Sequence, residues 1–185
     1  MRQTTLRTIF ALGLAFCLGT LEAPASYAST AEEINVMADT AMERFVKEVK
    51  GAKEFLNAAK GVLIIPQVLQ AGFVVGGEYG EGALRIGGKT VDYFNILSGS
   101  FGYQIGAQRK DVILVFMNEE ALKKFRTSEN WQVGVDGTVT LVDVGAEGSI
   151  DTTKITQPIV GFVFGQKGLM VGATIEGSKF TRIKK

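Results

Sequence analysis

The chain contains no histidine, and its single cysteine, Cys17, falls within the first 28 residues. Those residues read as an export signal. Arg2 and Arg7 form a basic leading region, Ile9 to Gly19 an apolar core, and Ser26-Tyr27-Ala28 puts small residues at the two positions a signal peptidase reads. Cleavage after Ala28 leaves neither histidine nor cysteine, which excludes disulfides, thiol nucleophiles, the usual zinc sites and any triad with an imidazole base. A long apolar run is also missing, since Ile9 to Gly19 is too short and glycine-broken for a transmembrane helix. A lipoprotein reading would make Cys17 the lipidated first residue, but bulky Phe16 stands where a small residue is expected. The expectation is therefore an exported protein, periplasmic or associated with the cell envelope.

Excess charge of one sign is lacking as well. Removing Arg2, Arg7 and Glu22 with the signal takes 20 basic and 19 acidic residues to 18 of each. A nucleic-acid partner normally calls for a basic domain, so that class is set aside. What the chain does have is core: 46% hydrophobic and 21% charged residues suit one globular domain over 29–185.

Residues 30–59 carry helical periodicity through Ile34, Met37/Ala38, Ala41, Phe45, Val49, Ala52, Phe55/Leu56 and Ala59, with Thr30 as a cap and Gly51 as a break. Lys47, Lys50 and Lys53 collect in the second half. Such a face packs on a core, and flanked by lysines it also suits a membrane surface. From Gly61 the period becomes two. Val62–Ile65 is expected to be a buried strand stopped by Pro66, followed by a strand from Gly72 to Tyr79 and a turn through Gly80-Glu81-Gly82. Gly87-Gly88 predicts a hairpin, Arg109-Lys110-Asp111 a turn, and Val112–Phe116, apolar on both faces, a central strand. Asn118 predicts one inserted helix, with Glu119 and Glu120 at its start, Lys123, Lys124 and Arg126 at its end, and a staple between Met117 and Leu122. Asp136-Gly137 predicts a hairpin between Trp131–Val135 and Thr138–Val144, and Gln166-Lys167-Gly168 another between Ile159–Gly165 and Leu169–Glu176. Together these give an α+β class: N-terminal amphipathic helices packed on a twisted, mostly antiparallel, glycine-rich sheet or partial barrel with one inserted helix.

Candidate chemistry is sparse. Gly76-Gly77-Glu78-Tyr79-Gly80-Glu81-Gly82 lacks phosphate-loop spacing, has no Lys-Ser/Thr ending, and carries glutamates that would repel a phosphate. Ser98-Gly99-Ser100-Phe101-Gly102 has Ser98 where a nucleophile elbow needs glycine, and there is no histidine to serve it. Asp136, Asp143, Glu147 and Asp151 are scattered without the alternation of a calcium loop. Asp92 and Asn95, beside Tyr93 and Phe94, are ordinary edge residues or line a cleft. Core packing is the default account of the aromatics, though an apolar pocket would use the same residues. No catalytic residue, cofactor or metal ligand is assigned.

Several glycine-patterned blocks occur in a recognisable order: Ala59-Lys60-Gly61-Val62-Leu63-Ile64-Ile65-Pro66, Ala71-Gly72-Phe73-Val74-Val75-Gly76-Gly77 with Gly80-Glu81-Gly82, Phe101-Gly102-Tyr103-Gln104-Ile105-Gly106-Ala107-Gln108, and Gly168-Leu169-Met170-Val171-Gly172-Ala173-Thr174-Ile175-Glu176-Gly177. From about Ala38 to the C-terminus the chain resembles the SYLF domain family. The resemblance implies a non-catalytic lipid-binding module. Eukaryotic members bind phosphoinositides, partly through a basic segment at the domain's start, and some bind or bundle actin; bacterial members are exported or lipoprotein-like. This chain has Val91-Asp92-Tyr93-Phe94 where many eukaryotic members carry a Trp-Ser-x-Pro block, and export would separate it from actin and phosphoinositides. The expected partner is anionic phospholipid or a membrane surface, met by Lys47, Lys50 and Lys53 on the helix and by Lys179, Arg182, Lys184 and Lys185 in the tail. The competing expectation is an envelope module that contacts other proteins through a sheet edge or helix.

Overall fold

The computed structural model describes residues 29–73, 75–101, 106–143, 156–168 and 175–185. Thr30 starts α1 (Ala31–Glu48) with a reciprocal cap: its hydroxyl accepts from the Glu33 backbone N–H, and the Glu33 carboxylate accepts from the Thr30 N–H. Gly51, at φ 90°, makes the left-handed turn into α2 (Ala52–Ala58). Both helices bury the stripe expected of them, Ile34, Ala38, Ala41 and Phe45 in α1 and Ala52 and Phe55 in α2.

The strands are β1 (Gly61–Phe73), β2 (Val75–Ile86), β3 (Lys89–Phe101), β4 (Gly106–Phe116), β5 (Asn130–Gln132), β6 (Thr140–Asp143), β7 (Ile159–Gly168) and β8 (Lys179–Ile183), with α3 (Glu119–Thr127) after β4. They form one sheet ordered β5-β8-β3-β2-β1-β4-β7-β6, curled strongly into a half-barrel. Every pairing is antiparallel except β6 with β7. Hydrophobic burial occurs on both faces. On one, α1 and α2 cover Val62, Ile64, Ala83, Ile113, Val115, Val160 and Phe162, with Phe45 and Phe55 set against the Phe162 ring at 4.9 and 5.1 Å. On the other, Phe125 of α3 sits among the rings of Phe94, Phe116, Trp131 and Phe180. As expected, β4 is central, burying Val112, Leu114 and Phe116 on the α3 face and Ile113 and Val115 on the α1 face.

Several local expectations give way to longer-range pairing. Pro66 does not stop β1: the register shifts between Ile65 and Val68, and Gln67 at φ 50° lets the strand pass through a bulge, where a missing N–H is tolerated. The stretch expected as a strand from Gly72 to Tyr79 is two strands folded back on each other, with Gly72 opposite Gly76 and Phe73 opposite Val75. Gly80-Glu81-Gly82 is the interior of β2 and not a turn. A Cβ on Gly82 would lie 2.1 Å from the Ile64 carbonyl oxygen, so this glycine makes room for the bulged neighbour strand rather than for a helix or a second sheet. Arg109-Lys110-Asp111 lies within β4, and Gln166-Lys167-Gly168 within β7. Asp136-Gly137 does close a turn, but β5 and β6 on either side pair at opposite ends of the sheet, with β8 and β7 respectively. The staple is absent too, because Met117 packs with the α1-face cluster and Leu122 with the α3-face cluster. Tyr103, Ile105, Glu147, Asp151, the strand expected from Leu169 and the signal segment with Cys17 lie outside the described residues.

Candidate functional site

The basic residues singled out by sequence fall into two separate groups. Lys47 is in the last turn of α1, and Lys50 and Lys53 border the α1–α2 junction; all are exposed. Lys179 and Arg182 belong to β8, with Lys184 and Lys185 just after it. Lys185 Nζ donates to Ser29 O and to Glu81 Oε2, both at 2.8 Å, which ties the C-terminal residue to the start of α1. The two groups therefore stand at opposite ends of a helix about 27 Å long. They also differ in availability. Lys47, Lys50, Lys53, Lys179 and Lys184 are exposed and have no ion-pair partner among the described residues. Lys185 is held by Glu81, and Arg182 lies 3.7 Å from Asp92 and over the Phe94 ring. Asp92 also binds Arg126 at 3.0 Å, so α3 is pinned to β3 and the cluster at its end has structural work of its own.

A third surface was not singled out by sequence. Leu69 of β1 is opposite Tyr79 of β2, and Tyr79 is opposite Leu97 of β3. Directly paired residues share a face, here the α1 face, beyond the part the helices cover. Their exposures, 43% for Leu69, 47% for Tyr79 and 57% for Leu97, are high for large apolar side chains. The same register continues to Arg109 of β4 on one side and Lys179 of β8 on the other, both exposed. The Tyr79 hydroxyl donates to Glu81 Oε1 at 2.7 Å, and burial, with this bond second, pushes its pKa up to about 12.

Behind this row, on the α3 face, the same strands bury polar side chains. Glu78, Gln70 and Gln108 are consecutive partners in register, and Lys110 is two residues from Gln108. Lys110 is 1% exposed and Glu78 4%; Lys110 Nζ donates to Glu78 Oε1 at 2.8 Å, and Gln108 Nε2 to Gln70 Oε1 at 2.7 Å. Glu78 Oε2 and Gln108 Oε1 are buried without a partner. The alternation of Gln108 and Lys110 with Val112 and Leu114 carried the signal for this cluster; reading residues 109–111 as a turn hid it. Lys110 thus meets Glu78 through one carboxylate oxygen, a buried ion pair inside the sheet that costs stability if either partner is lost. Among the described residues no group of acidic side chains could hold a metal ion, and no helix is long and apolar enough to cross a membrane.

Residues 97–185 match the Ysc84 family model, described as Las17-binding protein actin regulator, which is the SYLF family. The matched part runs from the middle of β3 through β8 and so includes Leu97, Arg109, Lys110 and Lys179. It supports a lipid-binding or actin-related domain. A comparison with curated proteins gives no match.

Proposed function

With residues 97–185 matching the SYLF family, we propose that the protein is an exported, non-catalytic domain that associates with anionic phospholipid surfaces. The observation that carries this reading is how its charges are distributed. Asp39, Glu78, Glu81, Asp92 and Asp111 are each committed to an arginine or lysine within the fold. Lys47, Lys50, Lys53, Lys179 and Lys184 are exposed and have no ion-pair partner among the described residues. The chain thus keeps unengaged lysines at its surface, alongside exposed glutamates such as Glu43, Glu48 and Glu54 near α1 and α2, and each lysine is worth about 1 kcal/mol beside an anionic leaflet, screened within a Debye length. The lack of histidine and cysteine in 29–185 supports the non-catalytic part, and the leading segment with Arg2, Arg7 and Ser26-Tyr27-Ala28 supports export.

Flotation of residues 29–185 with vesicles tests the proposal. Co-flotation with phosphatidylglycerol- or cardiolipin-rich vesicles at low salt, lost at high salt and on pure phosphatidylcholine, is the expected result. Absence of binding to anionic vesicles at low salt, or co-sedimentation with filamentous actin in place of vesicle binding, would overturn it.

A further inference from the structure

We infer that the lipid contact is made by the uncovered end of the sheet on the α1 face, where Leu69, Tyr79 and Leu97 lie between Arg109 and Lys179, and that its occupant is an anionic membrane surface. The inference rests on the lipid reading above and names the surface that performs it. Lys47, Lys50 and Lys53, at the end of α1 and the start of α2, supply charge but are not set beside an exposed apolar row of this kind.

The geometry fits a planar anionic partner. Measured along the curved sheet, strand spacing puts Leu69 and Leu97 about 10 Å apart with Tyr79 between them, and Arg109 and Lys179 about 19 Å apart at the two ends. An apolar strip bracketed by cations enters a headgroup region with its leucines toward the acyl boundary and its charges among phosphates. Tyr79 adds a ring suited to that depth, anchored through its hydroxyl to Glu81. Two carboxylates on this face are already engaged, Glu81 with Lys185 and Asp111 with Arg44. One register step further out the positions are small, Ala71, Gly77, Gly99 and Ala107, all exposed.

A second copy of the chain fits less well. A two-fold axis lying along the row sets Arg109 against Arg109 and Lys179 against Lys179, and an axis across it sets Arg109 against Lys179. Either way like charges meet, whereas anionic lipid neutralises both ends. The other face of these strands is closed, with Gln70, Glu78, Gln108 and Lys110 buried, so the row presents an outer surface backed by a filled interior.

Residues 29–185 contain no cysteine, so Leu97→Cys offers a unique site for an environment-sensitive fluorophore. With phosphatidylglycerol vesicles the label at position 97 is expected to shift to the blue. Leu69→Ser/Leu97→Ser is expected to weaken partitioning by at least about tenfold while unfolding at the wild-type temperature, since both side chains are exposed. Lys47→Ala/Lys50→Ala/Lys53→Ala is expected to weaken binding at low salt and flatten its salt dependence, while bound protein keeps the blue shift at position 97. If wild type does not bind anionic vesicles, the lipid reading itself fails. If wild type binds but the label stays in water, or the double serine variant binds equally well, the lipid reading stands and this surface is wrong. A blue shift that follows protein concentration without vesicles would assign the row to self-association and overturn the inference.

Discussion

Replacing Lys110 with methionine removes the ammonium that holds Glu78 and leaves the rest of β4 in place. Lys110 is 1% exposed and its Nζ lies 2.8 Å from Glu78 Oε1, while Glu78 Oε2 already lacks a partner. In Lys110→Met the carboxylate stays 4% exposed with no cation on either oxygen. Breaking a buried pair from one side costs about 3–5 kcal/mol, a large part of the roughly 5–15 kcal/mol that stabilises a typical domain. Removing both charges in Lys110→Met/Glu78→Leu eliminates the unpaired ion, and such replacements are commonly neutral or stabilising by about 1–4 kcal/mol. Gln70 Oε1 keeps its bond from Gln108 Nε2 in both variants. Trp131, buried against Phe125 and Phe180, reports urea unfolding by fluorescence. The single variant should unfold at much lower urea, and the double variant should regain most of the loss. Lys124→Ala, which breaks the exposed pair with Glu120, serves as a control that should barely move the midpoint. A single variant no weaker than that control, or a double variant no stronger than the single, would refute the buried ion-pair reasoning.

Gly82→Ala should destabilise by roughly 1–3 kcal/mol or more, because its Cβ would meet the Ile64 carbonyl oxygen at 2.1 Å and Ile65 Cα at 2.7 Å. Gly99→Ala, with nothing within 4 Å, should leave urea stability unchanged or slightly higher. Phe125→Ala should cost about 3–5 kcal/mol in the same assay, since it empties the centre of the α3-face aromatic cluster. In an ultraviolet pH titration, Tyr79 should contribute a component near its raised value of about 12, and that component should vanish in Tyr79→Phe. Because the folded pKa is above the unfolded value of about 10, any stability Tyr79 contributes is complete below pH 10 and fades as pH rises toward 12. Equal stability loss in wild type and Tyr79→Phe across that window would contradict the assignment.

Much of the secondary structure was legible in the sequence because its causes are local. The Thr30 cap, the break at Gly51, the Asn118 cap and the Gly87-Gly88 hairpin each depend on residues within a few positions. Apolarity on both faces was enough to make Val112–Phe116 central. The blocks that suggested the SYLF family are likewise a property of the one-dimensional pattern, and the family match over 97–185 takes in the later two, 101–108 and 168–177. Local turn chemistry failed where a distant strand had the stronger claim. Asp136-Gly137 turns the chain, yet β8 takes β5 and β7 takes β6. Pro66 reads locally as a stop, because a bulge depends on what the neighbouring strands need and the sequence around it does not encode them.

The candidate surface shows the same division. Sequence alone identified the lysines and arginines, because charge is a property of each residue. Tertiary structure decided which of them are free: Glu81 holds Lys185 from 104 positions away, and Arg182 sits beside Asp92. It also decided that Leu69, Tyr79 and Leu97 lie side by side between Arg109 and Lys179, with Glu78 and Lys110 paired behind them. A slip of one residue in any of those pairings would send a leucine inward and a charge outward. Residue type was therefore local information, but the row and the buried pair exist only through register, which long-range strand pairing sets.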